Sequence, residues 1–277
     1  MAKYKLTIAY DGTRFAGWQI QSNGISIQAT VEKALSTILR TSTEIVGSGR
    51  TDAGVHALAQ VAHFVASPTD LKRLLRSLNG ILPPDIRILH IEEVDEAFHA
   101  RYSALSKEYH YHLHLNPIMD PFKRLYVTHF PIPLDVALLE STAKLFVGTH
   151  DFTSFANKGS SIKSPIRTLM RLDVYHVSEG IRLEFEGEGF LYKMVRNITG
   201  TLLDVARGKI TQTDVSKIFA AKDRAKAPPA APPHGLFLMR VRYPAMTDKT
   251  TTGLSLTADD PEDRSRALSE LQPLSRP

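Results

Sequence analysis

The densest chemical signal in the chain is the run Gly47-Ser48-Gly49-Arg50-Thr51-Asp52-Ala53-Gly54-Val55-His56. Three glycines and an alanine around one arginine and one aspartate leave little side-chain bulk, so a planar ligand could approach the backbone closely. Two residues of extended chain span about 6.6 Å and point the same way, which lets Arg50 and Asp52 share one side of the segment. An arginine at that range favours the carboxylate and keeps it ionised. Such an aspartate suits a nucleophile or a charge stabiliser better than a general acid. The same spacing also fits a glycine-rich hairpin with a surface ion pair, and spacing alone leaves both readings open.

Two further patterns have chemical content. His110, His112 and His114 alternate with Tyr109, Tyr111 and Leu113, so three imidazoles project from one face of a strand. They could ligate a metal, but no carboxylate pattern nearby supports a catalytic ion, and a polar sheet face is the expected reading. At about 100° per residue, Leu191, Met194, Val195, Ile198, Leu202 and Val205 share one helix face, and Lys193, Arg196, Gly200 and Arg207 fall opposite. The basic stripe reads as a solvated face.

These segments need a frame. Tyr4 to Tyr10 reads as a strand, and Ser26 caps a helix with Ile27, Val31, Ala34, Leu35 and Ile38 at three- and four-residue spacing. Glu44 to Val46 and Ala57 to Ala66 read as strands. Pro68 opens a second helix through Leu71, Leu74, Leu75 and Leu78, stopped at Asn79-Gly80, and Ile86 to Val94 is a strand. A second βαββαβ order follows: strand Tyr109 to Leu115, helix Leu134 to Phe146, strands Leu169 to Val177 and Ile181 to Phe185, helix Leu191 to Arg207, short helix Asp214 to Ala221, strand Leu236 to Tyr243. The expectation is an α+β chain of two ferredoxin-like, RRM-like halves, 1–105 and 106–244, with sheets side by side around a central cleft. Residues 245–277 lack apolar periodicity and read as a disordered tail.

Composition narrows the chemistry. With 277 residues, 43% hydrophobic and 23% charged, the chain has the make-up of a folded globular protein. It has no cysteine, which removes disulfides, zinc-thiolate centres, iron-sulfur clusters and thiol nucleophiles, and suggests a reducing cytoplasm. Neither a signal peptide nor an apolar run of roughly 18 to 20 residues is present, so no membrane role is expected. The net charge of +5 is uneven: +1 over residues 1–105, +6 over 106–244 and −2 over 245–277. A localised cationic excess points to a polyanionic partner.

The uninterrupted run Gly49 to His56 resembles the active-site segment of the tRNA pseudouridine 38–40 synthases. Tyr10-Asp11-Gly12, Gly17-Trp18-Gln19, Phe98-His99-Ala100-Arg101-Tyr102, Lys107 with Tyr109 and Tyr111, Asp151 to Phe155, Met194 to Asn197 and Gly235 to Leu238 are similar to that family in the same order. The likeness covers residues 3 to 244.

The resemblance implies an isomerase that turns uridine into pseudouridine at positions 38, 39 and 40 of the tRNA anticodon stem-loop. Neither cofactor nor metal is required, and a homodimer is expected by the same analogy. Asp52 matches the covalent catalytic aspartate; whether it attacks C6 or the anomeric carbon stays open. Arg50 matches the arginine that pairs with it and holds the flipped nucleotide, and Tyr109 the tyrosine that stacks on the base and takes the C5 proton. Arg196 matches the second active-site arginine and Leu236 the apolar contact to uracil. Arg101, with Phe98, His99, Ala100 and Tyr102, and the loop Gly159, Ser160, Ser161, Ile162 and Lys163 match segments that meet tRNA. The competing reading is a noncatalytic RNA-binding module on RRM-like sheets; the aromatic string typical of those modules is missing.

Overall fold

The computed structural model describes residues 1–157, 159, 164–244 and 254–255. The tail 245–277 therefore lies outside the described residues except for Leu254–Ser255, and so do Ser160, Ser161, Ile162 and Lys163. Among the described residues, strands and five α-helices are mixed along the chain, in the α+β class. The described residues form two compact units, one of residues 1–105 with those from 237 onward, the other of residues 106–236.

In the first unit, β1 (Ala2–Tyr10) pairs antiparallel with β3 (His56–Ala66) on one side and β4 (Ile86–Val94) on the other. The two-residue β2 (Val46–Gly47) lies on β3. The strict alternation of β1 buries Tyr4, Leu6, Ile8 and Tyr10. Two helices supply the matching apolar stripes: α1 (Ile27–Leu39) buries Ile27, Val31, Ala34 and Leu35, and α2 (Leu71–Ile81) buries Leu74, Leu75 and Leu78. Each such valine, leucine or isoleucine contributes about 1.5–3 kcal/mol when fully removed from water. Ser26 caps α1 by accepting from the Ala29 N–H.

Helix α2 departs from expectation at both ends. Its cap is Asp70, accepting from Arg73 N, and Pro68 precedes the helix. Asn79 and Gly80 lie inside it. The Asn79 amide is spent on tertiary contacts: Oδ1 accepts from Ile88 N (3.0 Å) while Nδ2 donates to Ile88 O (2.8 Å), fastening α2 to β4. The helix stops one residue later, because Leu82 precedes Pro83 and a pre-proline residue is pushed to extended backbone.

In the same unit, β10 (Leu236–Arg242) runs parallel to β3, with Phe237 opposite His56 and Leu238 opposite Ala57. The short β11 (Leu254–Ser255) pairs with β4.

The second unit is built on β5 (Ser106–His114), β8 (Ile166–Val177) and β9 (Gly180–Gly187), antiparallel in the order β5-β9-β8, with β7 (Gly148–Asp151) beyond β8 and β6 (Thr128–His129) beside β5. β6 and β7 are too short to show a period of two, and periodicity gave no sign of them. Every residue of β5 is buried. The expected helix 134–146 is an α-helix, α3 (Val136–Ala143), continued as one 3-10 turn to Phe146. Helix α4 (Met194–Ala206) is followed by α5 (Gln212–Ala221), which opens with a reciprocal Thr211/Asp214 capping box.

Of the expected solvated stripe on α4, Gly200 is buried, while Lys193, Arg196 and Arg207 are half-buried. The proline-rich segment 227–233 lies across it. A Cβ at Gly200 would sit 2.0 Å from the Pro229 carbonyl oxygen, so only glycine admits this approach. Arg207 pairs with Asp204 at 2.6 Å.

Candidate active site

Asp52 sits in the loop joining β2 to β3, half-buried, with Arg50 exposed two residues earlier. The backbone on both sides of Asp52 is held. The Thr51 carbonyl accepts from Trp18 N (3.1 Å), and the Asp52 carbonyl accepts from Val55 N (3.1 Å), closing a tight turn. Gly17, at φ +94°, lets the chain before Trp18 pass so close that a Cβ there would lie 2.6 Å from the Thr51 oxygen. His56 closes the loop: its Nδ1 accepts from Gly12 N (3.1 Å), and its ring stacks on Phe237 at 4.6 Å.

Beneath the loop lies a buried polar network. The Tyr10 hydroxyl is 2.8 Å from Thr51 Oγ1. Gln60 Oε1 accepts from Ser48 Oγ (2.7 Å) and Val61 N (3.1 Å), and its Nε2 donates to the Gly49 carbonyl (3.0 Å). Burial pushes the Tyr10 phenol well above its ordinary value, against the weaker opposing effect of its hydrogen bonds to Thr51 and Gln60, so it stays protonated. Sequence reasoning singled out Tyr10 and Thr51 only as parts of strings and passed over Gln60. The available signal was a glutamine set among Ala57, Leu58, Ala59, Val61 and Ala62 on an apolar strand, since buried amides require partners.

The turn over residues 98–103 presents its members unequally. Tyr102 is 77% exposed, its ring 4.3 Å from the His99 ring and 5.7 Å from the Arg101 guanidinium. Arg101 is exposed, while Phe98 and His99 are half-buried. Ala100 is wholly buried and offers a ligand no side-chain surface; its N–H donates to His63 Nδ1 (3.1 Å) and its carbonyl accepts from Tyr243 Oη (2.6 Å). His99 Nδ1 accepts from Arg101 N (3.1 Å) and Tyr102 N (3.2 Å). Two imidazoles thus act as neutral acceptors for the backbone that displays Arg101 and Tyr102. Burial, with His99 and Lys3 nearby, lowers His63 to about 4. Burial, with Lys3 and Arg101, lowers His99 as well.

The second unit carries the other expected residues. Tyr109 on β5 is buried, edge-on to Phe190 at 5.0 Å and opposite Phe185 of β9. Arg196 lies in the first turn of α4, half-buried, with Nε donating to the Ala231 carbonyl (2.8 Å) while Ala231 N donates back to the Arg196 carbonyl (2.9 Å). Leu236 is buried at the start of β10. The segment before it is tied down by Tyr111, whose hydroxyl meets Thr128 Oγ1 (2.7 Å) and donates to the Pro232 carbonyl (2.9 Å). Burial raises the Tyr111 phenol, opposed by Thr128 and by the charge of Arg196. Gly159 is exposed.

The three imidazoles of β5 do not converge on one ion. His114 Nε2 faces the Ile118 carbonyl (2.9 Å), and His110 Nε2 lies 3.0 Å from Glu108 and 3.6 Å from Glu184. Glu108, His110 and Glu184 have the donor types of a divalent-cation site, but the Arg171 guanidinium already bridges both carboxylates at 3.2 and 2.8 Å. That arrangement is a buried ion-pair network.

A carboxylate on a loop of little side-chain bulk, its flanking carbonyls hydrogen-bonded, suits covalent chemistry, and the exposed Arg101 and Tyr102 of the 98–103 turn suit contact with a nucleic acid. The model of the family described as tRNA pseudouridine synthase matches residues 6–103 and 142–244. The chain belongs to that family. It is 59% identical over 245 residues to tRNA pseudouridine synthase A 1 of Protochlamydia amoebophila, covering 87% of this chain and 96% of the relative. It is 45% identical to tRNA pseudouridine synthase A of Chlamydia muridarum over 247 residues, with 88% and 92% covered, and 44% identical to that of Listeria monocytogenes over 248 residues, with 88% and 100% covered. Among solved structures it is similar, at TM-score 0.32 and 12% identity, to a chain of a Cbf5-Nop10-Gar1 complex, over 85% of this chain and 48% of that one; a likeness so distant adds nothing to the family argument.

Proposed function

We propose that the chain isomerises uridines 38, 39 and 40 of the tRNA anticodon stem-loop, with Asp52 as the nucleophile. Family membership makes it a tRNA pseudouridine synthase, an isomerase. The target positions and the residue roles are our reading. The observation that carries it is the Asp52 loop: a half-buried carboxylate whose flanking carbonyls are both hydrogen-bonded, in a segment stripped of competing bulk.

The reaction breaks the bond from N1 to the anomeric carbon and forms one from C5; C5 gives up a proton and N1 gains one. Nothing is oxidised or reduced. Asp52 attacks either C6 or the anomeric carbon and is released at the end. The base must first leave its stack, at a cost of a few kcal/mol. In our reading Arg50, exposed beside Asp52, holds the opened nucleotide, and Tyr109 stacks on the base and takes the C5 proton. Arg196, anchored by the Ala231 carbonyl, supplies the second cation, and Leu236 the apolar contact to uracil. Arg101 and Tyr102 meet the RNA backbone and an unstacked base. Two ferredoxin-like halves around a cleft, a homodimer and a cytoplasmic location belong to the same proposal. Among the described residues, no helix is long and apolar enough to cross a membrane.

The test is tritium release from tRNA labelled at C5 of uridine, comparing this protein with Asp52→Asn and adding no cofactor. Release by the unaltered protein alone is expected. Equal release by the variant removes Asp52 from the chemistry; no release by either, with salt-sensitive tRNA binding retained, favours a noncatalytic RNA binder.

A further inference from the structure

We infer that Tyr10, acting with Gln60, is a positioning residue for the reaction: its hydroxyl fixes the Thr51 side chain and thereby the direction in which Asp52 leaves the loop. The inference rests on the reading of Asp52 as nucleophile.

The segment Ser48 to Thr51 is gripped from inside at three points. Gln60 takes the Ser48 hydroxyl and the Gly49 carbonyl, and Tyr10 takes the Thr51 hydroxyl. Trp18 N holds the Thr51 carbonyl from another direction. Thr51 thus has its side chain and its carbonyl both committed, which leaves the peptide leading into Asp52 no free rotation. Tyr10 itself cannot yield: it ends β1, pairs with Ala57 and Ile86 on the two neighbouring strands, is 4% exposed and packs its ring 6.1 Å from Trp18.

A fold-only explanation of this hydroxyl is weak. Phenylalanine would fill the same volume, and a buried hydroxyl brings a desolvation cost that only a partner offsets. Beside Gln60, the partner here is the side chain adjacent to the candidate nucleophile, reached across 41 positions of sequence. A hydrogen bond that adds little net stability but orients the neighbour of a reacting group is a device for preorganisation, where misplacement by about 1 Å can cost roughly a hundredfold in rate.

The experiment compares Tyr10→Phe, Thr51→Val, Thr51→Ser and the Tyr10→Phe/Thr51→Val double variant by tritium release from C5-labelled tRNA, with thermal melting as the check on folding and Asp52→Asn in parallel. Tyr10→Phe should lower kcat by roughly 10- to 100-fold and leave KM for tRNA within about twofold, since Tyr10 touches no RNA in this account. Thr51→Val should do the same, Thr51→Ser should keep nearly full kcat, and the double variant should be no slower than the slower single one, because both changes remove one hydrogen bond. Unchanged kcat in Tyr10→Phe, a loss confined to KM, or losses that multiply in the double variant overturn the inference. Should Tyr10→Phe fail to fold, the contrast between valine and serine at Thr51 decides the matter: equal kcat for both overturns it. An active Asp52→Asn overturns the nucleophile reading, and this inference with it; an inactive Asp52→Asn beside a fully active Tyr10→Phe overturns this inference alone.

Discussion

Gly17→Ala tests how tightly the Asp52 loop is held. Gly17 sits at φ +94°, a backbone conformation that costs an L-residue about 1–2 kcal/mol. The new methyl carbon would lie 2.6 Å from the Thr51 oxygen, 3.1 Å from Ala53 N and 3.1 Å from the Asp52 carbonyl carbon. Ordinary contact begins at 3.4 Å, so the Thr51 carbonyl must retreat by about 0.8 Å, weakening its bond to Trp18 N. Overpacking of that size adds about 1–3 kcal/mol, and the reduced freedom of the unfolded chain returns about 0.4–1 kcal/mol. The expected net loss is about 1–4.6 kcal/mol, which leaves a protein of ordinary stability folded. Because the displaced carbonyl belongs to the residue before Asp52, activity should fall roughly a hundredfold. Gly80→Ala is the control. Gly80 lies inside α2 with open space at its Cβ position, so the same change should stabilise by about 0.5–1 kcal/mol and leave activity untouched. Guanidinium unfolding and initial rates of tritium release read both effects. A Gly17→Ala protein with the unfolding midpoint and rate of the unaltered chain would refute the account of the loop.

Two further outcomes follow from the turn over residues 98–103. Arg101→Ala should weaken tRNA binding and flatten its dependence on salt by about one counterion, as expected of a phosphate contact; filter binding between low and moderate salt measures the slope, and an unchanged slope takes Arg101 off the RNA surface. His63, lowered to about 4 by burial and by His99 and Lys3, is neutral when folded while its unfolded form takes a proton near 6.5. Between those values the unfolded state binds more protons, so stability should fall as the pH drops from about 6.5 to about 4 and level off below. After allowance for solvent screening the loss is about 1–2 kcal/mol. His63→Gln should flatten that part of the pH-stability curve, and an identical curve excludes His63 as its origin.

Much of the first unit was legible because its signals are local. The Ser26 cap and the Ile27, Val31, Ala34, Leu35 stripe of α1 are written within a few turns of chain, and β4 was readable to the residue as Ile86–Val94. The Gly49–His56 run left a hairpin and a site both open by spacing, and became a candidate site through its resemblance to the family. Where local and tertiary preferences conflict, sequence reading failed. Asn79-Gly80 has the composition of a helix stop, but two hydrogen bonds to Ile88 hold Asn79 in the helix. Arg196 and Gly200 fall on a polar face by periodicity, yet the 227–233 segment covers them, and nothing local to α4 announces it.

The sequence by itself determined that this chain folds as α+β and has no thiol, and its resemblance to the family singled out which aspartate is the candidate. Only the tertiary structure decided how the loop that carries that aspartate is held. Tyr10 and Thr51 are 41 residues apart and Ser48 and Gln60 are 12 apart. Their meeting depends on the register of β1 against β3 and on Gly17 passing the Thr51 carbonyl, and strand register is set by the packing of whole sheet faces, which no window of neighbouring residues contains.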